Sequence, residues 1–138
     1  MTKVSMSTDL PASPEAVWEL VGSFGALSNW HPAVEKTELE SGGKRRRLSL
    51  VGGGSIVEEL ERTSDTEHVY RYSILESPLP VAGYVAEVRV REGPGGKGST
   101  VEWSSDFKPK DVGEADARKV IEGIYQAGLD NLRKLFGG

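Results

Sequence analysis

The last stretch of the chain decides the fold: residues 112–136 read VGEADARKVIEGIYQAGLDNLRKLF. Its apolar positions recur three and four residues apart, which places them on one face of a helix. Asp111 and Glu114 match a D-x-x-E capping box, and Gly137 follows as a stop signal. The spacing therefore predicts one long helix from about Val112 to Phe136, roughly 37 Å in length at about 1.5 Å per residue. Such a helix needs a broad partner to cover its apolar face.

The N-terminal part of the chain predicts one strand and two short helices. Residues 2–10 alternate between apolar and polar side chains, as in a half-buried strand. Ser13 followed by Pro14 is typical of a helix start, because serine caps free N–H groups and proline has none to lose at the first helical position. The spacing of apolar residues then predicts helices over 14–22 and 24–30.

From Val34 onward the helical period disappears and turn-forming residues interrupt the sequence every few positions. This pattern is typical of an antiparallel meander. Strands are predicted at 34–41, 44–51, 54–62, 67–76, 83–92 and 99–108. The order strand, two helices, six strands, helix predicts an α+β fold in which a curved, seven-stranded antiparallel sheet wraps around the long C-terminal helix. The 138 residues are expected to form one domain, 1–138.

Composition narrows the function class. The chain has no cysteine, so disulfides and thiolate metal sites are excluded, and we expect a reducing, cytoplasmic location. Its net charge of -4 argues against nucleic acid as a partner. No segment approaches the roughly 18 apolar residues of a membrane span. With only two histidines, no metal site is expected, and nothing indicates a cofactor.

Several local strings, taken in order, resemble the START/Bet v 1-like (SRPBCC) superfamily, and in particular its bacterial polyketide cyclase/dehydrase-like or MxaD-like branch. These strings are ASPEAVW at 12–18, SNWHP at 28–32, EEL at 58–60, YRYSI at 70–74 with LPV at 79–81, and VEW at 101–103 with Phe107. The resemblance implies a helix-grip fold with a cavity between sheet and helix, which usually holds small hydrophobic or amphipathic molecules.

Strand parity places Glu58 inside that cavity. Ile56, Glu58 and Leu60 share one face of their strand, and their apolar character turns this face inward, with Val57 outward. A buried carboxylate costs several kcal/mol unless it is paired or protonated. Two interpretations are open: Glu58 is a ligand anchor or general acid/base, or it forms a structural pair with an arginine or tyrosine inside the sheet.

Aromatic residues supply the remaining candidates for ligand contact. Tyr72, Tyr84, Trp103 and Phe107 lie on the inward faces of three successive strands, and Tyr125 lies on the helix. They predict either aromatic cavity walls or ordinary core packing.

The second short helix ends at two further candidates, Trp30 and His31. They are predicted either to gate the cavity mouth or to form a core plug (Trp30) beside a solvated histidine. Gly123 and Gly128 indicate places where a strand or ligand approaches the long helix closely. The basic run 44–47 is predicted to be an exposed edge.

Three function classes follow. The first is binding or carriage of a small hydrophobic or amphipathic molecule by a monomer or homodimer, which predicts an apolar cavity with one or two polar anchors. The second is a polyketide cyclase/dehydrase-like enzyme using Glu58 with Tyr72 or His31 for proton transfer. The third is a protein-interaction module, which predicts a collapsed interior and an exposed apolar patch. Whether the protein is an enzyme is left open.

Overall fold

The structure, a computed structural model, describes residues 1–137. Seven strands form one curved antiparallel sheet in the order β1-β7-β6-β5-β4-β3-β2. The strands are β1 (Thr2–Leu10), β2 (Val34–Glu40), β3 (Arg45–Leu50), β4 (Ser55–Ser64), β5 (Val69–Glu76), β6 (Val81–Glu92) and β7 (Ser99–Pro109). The predicted strand bounds agree with these to within two residues. The α+β helix-grip architecture is confirmed.

Two short helices follow β1. Helix α1 spans Pro14–Val21, and the Ser13 side chain accepts a hydrogen bond from the Ala16 N–H at 3.2 Å, as the sequence predicts. The second short helix is a 3₁₀ helix, Phe24–Asn29. Helix α2, the long C-terminal helix, spans Glu114–Leu135.

The predicted capping box at the start of α2 is wrong. Asp111 has a φ of 64°, which is a left-handed turn conformation. The N-cap is Gly113 in an extended conformation, with no side chain capping the first turn. Glu114 is therefore the first helical residue rather than the third, and α2 starts two residues later than expected.

The core lies between the concave face of the sheet and the helices, with α2 packed on β1 and β7. Residues of alternate parity are buried along β6 and β7, as predicted. In β4 both Glu58 and its neighbour Val57 are buried, although Val57 is on the opposite face and outside the contiguous core. In residues 1–137 no helix combines the length and apolar character needed to cross a membrane.

Candidate functional site

A cavity of about 270 Å³ lies between the concave face of the sheet and α2. Aliphatic side chains make up most of its wall, and a few polar groups are set among them. The lining residues are Leu27, His31, Ala33, Val34, Leu48, Leu50, Val51, Ile56, Glu58, Tyr72, Ile74, Leu79, Tyr84, Trp103, Val120, Ile121, Ile124 and Tyr125.

The cavity opens to solvent at one side. Val51, in the turn after β3, and Val120, in α2, both line it, yet they are 63% and 38% exposed. Trp103 and Tyr125 line it as well and are fully buried. The mouth is therefore an apolar rim between the β3–β4 turn and α2, and the aromatic residues form the inner end.

The strongest polar feature of the wall is a buried ion pair. Arg46 Nε donates to Glu58 Oε1 at 2.8 Å, and Arg46 Nη2 lies 2.7 Å from the same oxygen without donating a well-aligned hydrogen bond. The two residues face each other across β3 and β4 in register. Both contacts are made to one carboxylate oxygen, and Glu58 also forms part of the cavity wall.

Arg46 corrects the prediction that the basic run 44–47 is an exposed edge. Arg46 is completely buried, with its guanidinium carbon 4.1 Å from the centre of the Phe24 ring and its Nη1 donating to the Phe24 carbonyl at 3.0 Å. Arg46, Leu48 and Leu50 share one strand face, so the apolar partners turn the arginine inward. Strand β3 is also internal, because β2 forms the edge of the sheet.

Burial raises the pKa of the Glu58 carboxyl, and the charge and hydrogen bond of Arg46 oppose that shift. The desolvation cost and the ion pair therefore act in opposite directions on the same group. The expectation that Glu58 is paired inside the sheet is met, and the carboxylate also faces the cavity. The two interpretations of this residue are thus not exclusive.

A chain of aromatic hydroxyls crosses the inner end of the cavity. Trp103 Nε1 donates to Tyr72 Oη at 2.9 Å, and Tyr72 Oη lies 3.2 Å from Tyr84 Oη. Tyr84 Oη also hydrogen bonds to Tyr125 Oη on α2. Burial raises the pKa of all three tyrosines, so their hydroxyls stay protonated at neutral pH. These groups hold the helix to β5, β6 and β7.

His31 is buried, contrary to the prediction of a solvated side chain. Its Nε2 lies 2.7 Å from the Ile124 carbonyl oxygen, and its Nδ1 accepts from the Ala33 N–H at 3.1 Å. These contacts define a neutral imidazole with the proton on Nε2. Burial lowers the pKa of His31, and the hydrogen bond to Ile124 opposes that shift. Both ring nitrogens are occupied, so His31 is poorly placed to act as a base.

Trp30 is a core residue, and it does not line the cavity. Its ring is 99% buried and lies 5.5 Å from the Trp103 ring in an edge-to-face arrangement. Its carbonyl accepts from the Asn131 Nδ2 at 2.9 Å. Together with His31, this contact fixes the end of the 3₁₀ helix to α2.

Gly128 explains how these rings approach the helix so closely. A Cβ atom at this position would lie 2.7 Å from His31, 3.0 Å from Trp103 and 3.1 Å from Trp30. The predicted thin surface of α2 is therefore present at Gly128. The same prediction is wrong for Gly123, which is exposed and has no heavy atom within 4 Å of the added carbon.

The cavity brings together six of the eight candidates for ligand contact, namely His31, Glu58, Tyr72, Tyr84, Trp103 and Tyr125. Trp30 and Phe107 are excluded from its wall; Phe107 packs against Tyr84 with ring centres 6.1 Å apart. Sequence reasoning missed the aliphatic wall from β3 and α2. The alternation of Leu48 and Leu50 with serine and arginine was the signal for the β3 part.

Comparison with known proteins places this geometry in a family. The sequence family described as "Polyketide cyclase / dehydrase and lipid transport" matches residues 1–137. The protein XoxI from Bacillus cereus is 38% identical, with a TM-score of 0.96 over 99% of this chain and 96% of that chain. A search of curated proteins gives no match.

Two more distant structures share the fold alone. An aromatase/cyclase, Zhui, from a Streptomyces species is 19% identical with a TM-score of 0.74, over 94% of this chain and 90% of that chain. A START superfamily protein from Mycobacterium smegmatis is 14% identical with a TM-score of 0.80, over 98% and 97%. The resemblance to the polyketide cyclase/dehydrase-like branch is confirmed by the family match, and the START superfamily structure shares the fold. The chain belongs to the polyketide cyclase / dehydrase and lipid transport family.

Proposed function

We propose that this protein binds or carries a small hydrophobic or amphipathic molecule in the cavity between the sheet and α2. The observation that carries the proposal is the composition of the wall. Aliphatic residues surround a single buried carboxylate, Glu58, and a short chain of tyrosine hydroxyls. Sites for small organic molecules combine apolar walls with a few fixed polar groups in this way.

The size of the cavity supports the same function. Its volume of about 270 Å³ is close to the lower end of the range of roughly 300–1,000 Å³ for small-molecule sites. Apolar cavities of even about 150 Å³ accept a benzene-sized guest. A guest with one or two rings, or a short aliphatic chain, would fit this space.

A cyclase-like enzyme is the second candidate, and Glu58 is the observation that favours it. Burial raises the pKa of this carboxyl, which moves it towards the range of a general acid. His31 does not support the enzyme, because its two ring nitrogens are engaged by Ala33 and Ile124. Proton transfer would have to rely on Glu58 and the Tyr72 hydroxyl.

The third class, a protein-interaction module, agrees less well with the structure. Its expected collapsed interior is not found, and Leu79 of the β5–β6 connection lines the cavity. The outer face of the sheet carries cross-strand ion pairs such as Arg45–Glu59 at 3.4 Å and Arg71–Glu61 at 3.6 Å. A face covered by charges of both signs is a poor apolar docking surface.

Native mass spectrometry of freshly purified protein tests the proposal. We expect a co-purified small molecule in the wild-type protein and its loss in Val120→Trp, because the indole would cover the cavity mouth. Ala115→Trp is the matched control, since Ala115 is exposed on the same helix and does not line the cavity. This control should retain the molecule.

Binding is tested separately with naphthalene derivatives, followed by quenching of Trp103 fluorescence, because Trp103 lines the cavity. Trp18→Phe should leave the quenching in place, since Trp18 lies outside the wall. If no molecule co-purifies and no apolar probe quenches the wild-type protein, the cavity has no binding function. Conversion of a bound probe into a product would favour the enzyme.

A further inference from the structure

The cavity wall carries charge of one sign. Among the lining residues of the described chain, Glu58 is the only carboxylate, and no lysine or arginine is present. The other polar groups of the wall are the neutral His31, the Trp103 indole and three tyrosine hydroxyls. A guest therefore meets a negative group without meeting a positive one.

The positive partner of Glu58 is held away from the guest. Arg46 is completely buried and does not line the cavity. Its guanidinium stacks on Phe24 and donates to the Phe24 carbonyl. It also lies 5.6 Å from the centre of the Tyr70 ring and 5.0 Å from that of Tyr72, and it pairs with Glu58 Oε1. Arg46 is thus fixed behind the carboxylate, and Glu58 presents its other side to the cavity as a hydrogen-bond acceptor.

Counting protons shows that the wall also offers a donor. Tyr72, Tyr84 and Tyr125 together carry three hydroxyl protons. The two contacts between their oxygens consume two of these protons, and the Trp103 contact consumes an indole proton instead. The third proton lies on Tyr72, Tyr84 or Tyr125 according to the orientation of the chain, and on Tyr125 it has the buried Ser105 hydroxyl as an acceptor. The wall therefore provides one acceptor, Glu58, and, when the chain leaves the third proton on Tyr72, one neutral donor.

We propose that the preferred guest is an uncharged apolar compound bearing a hydroxyl group, and that the cavity rejects carboxylates such as fatty acids. This inference rests on the proposed binding function and specifies its ligand class. A hydroxyl donates to Glu58, and it accepts from Tyr72 when the chain of hydroxyls leaves the third proton on that residue. A carboxylate would lack the donor, and it would meet the Glu58 carboxylate on the cavity wall before the Arg46 guanidinium that lies behind it.

Three probes of the same ring size test the inference by calorimetry at neutral pH: naphthol, its methyl ether and naphthoate. We expect naphthol to bind at least about tenfold more tightly than naphthoate, and more tightly than the ether, which cannot donate. Equal or tighter binding of naphthoate would overturn the inference, as would equal binding of the ether. If none of the three probes binds, the proposed function itself fails.

Glu58→Gln tests whether Glu58 is the reason that the cavity prefers naphthol to naphthoate. The variant removes the negative charge and leaves Arg46 uncompensated, so the ratio of naphthoate to naphthol affinity should rise at least about tenfold. Glu59→Gln is the matched control, because Glu59 pairs with Arg45 on the opposite face and should leave the ratio unchanged. An unchanged ratio in Glu58→Gln would contradict the assigned role. The wild-type probe series decides the ligand class even if this variant does not fold.

Discussion

Gly128→Ala tests the packing of α2 on the aromatic end of the core. The added methyl group would lie 2.7 Å from His31 Cδ2, 3.0 Å from Trp103 and 3.1 Å from Trp30. All three neighbours are rigid rings, and His31 is held by hydrogen bonds on both nitrogens. None of them can rotate away, so the helix and the end of the 3₁₀ helix must separate by a few tenths of an ångström.

Two opposing effects determine the result. Overpacking a dense core costs about 1–3 kcal/mol. Replacing glycine by alanine inside a helix raises the free energy of unfolding by up to about 1 kcal/mol. The expected net effect is a loss of about 1–2 kcal/mol in the free energy of unfolding, or roughly 4 °C in Tm for each kcal/mol at this chain length.

Gly123→Ala is the matched control on the same helix. No heavy atom lies within 4 Å of its added carbon, so only the helix propensity changes and the variant should gain about 0.5–1 kcal/mol. Urea unfolding followed by circular dichroism measures both variants, with equal m-values confirming that the unfolded states are comparable. If both substitutions stabilise the protein to the same extent, α2 does not pack on these rings as described.

Two other predictions concern the stability of the fold, one at the buried ion pair and one at the buried histidine. Arg46→Met should destabilise the fold by about 3–5 kcal/mol in urea unfolding, because it leaves a buried carboxylate without its partner. Adding Glu58→Leu should recover most of that loss, and a double variant as unstable as the single one would show that the charge is not the cause. Burial lowers the pKa of His31 below its ordinary 6.5, so below that pH the unfolded chain binds a proton that the native protein does not. The free energy of unfolding therefore falls as the pH drops through and below 6.5. His31→Gln should flatten this decline between about pH 7 and pH 5. His68→Gln is the control, because it should retain the part of the decline that His31 causes. If the free energy of unfolding of His31→Gln falls with pH as steeply as that of the wild type, the His31 imidazole is accessible to protons in the native protein.

The sequence was sufficient for the element order because that order depends on local signals. Alternation located β1, Ser13 and Pro14 marked the start of α1, and glycine-rich turns separated the strands. Parity then placed Glu58 on the inward face. All of these properties are set by a few neighbouring residues and by the periods of helices and strands.

The errors concern contacts between distant segments. The sequence predicts that Arg46 belongs to an exposed basic run. Arg46 is buried because it lies in register opposite Glu58 and stacks on the Phe24 ring. His31 looked solvated because its partner is the Ile124 carbonyl, 93 residues away. Asp111 matched a capping motif, but the turn that leads into α2 puts it in a left-handed conformation. Spacing along the chain contains no information on these pairings.

The buried ion pair is the feature that links the fold to recognition. Replacing such a pair by apolar residues is often neutral or stabilising, so stability alone does not account for Glu58 on the cavity wall. The tyrosine hydroxyls have partners in one another, and Arg46 is held by Phe24. Glu58 alone combines a full charge with a place on the wall. We therefore expect substitutions on α2, such as Val120→Trp, to change how much space a guest has, and substitutions at Glu58 to change which guest is accepted.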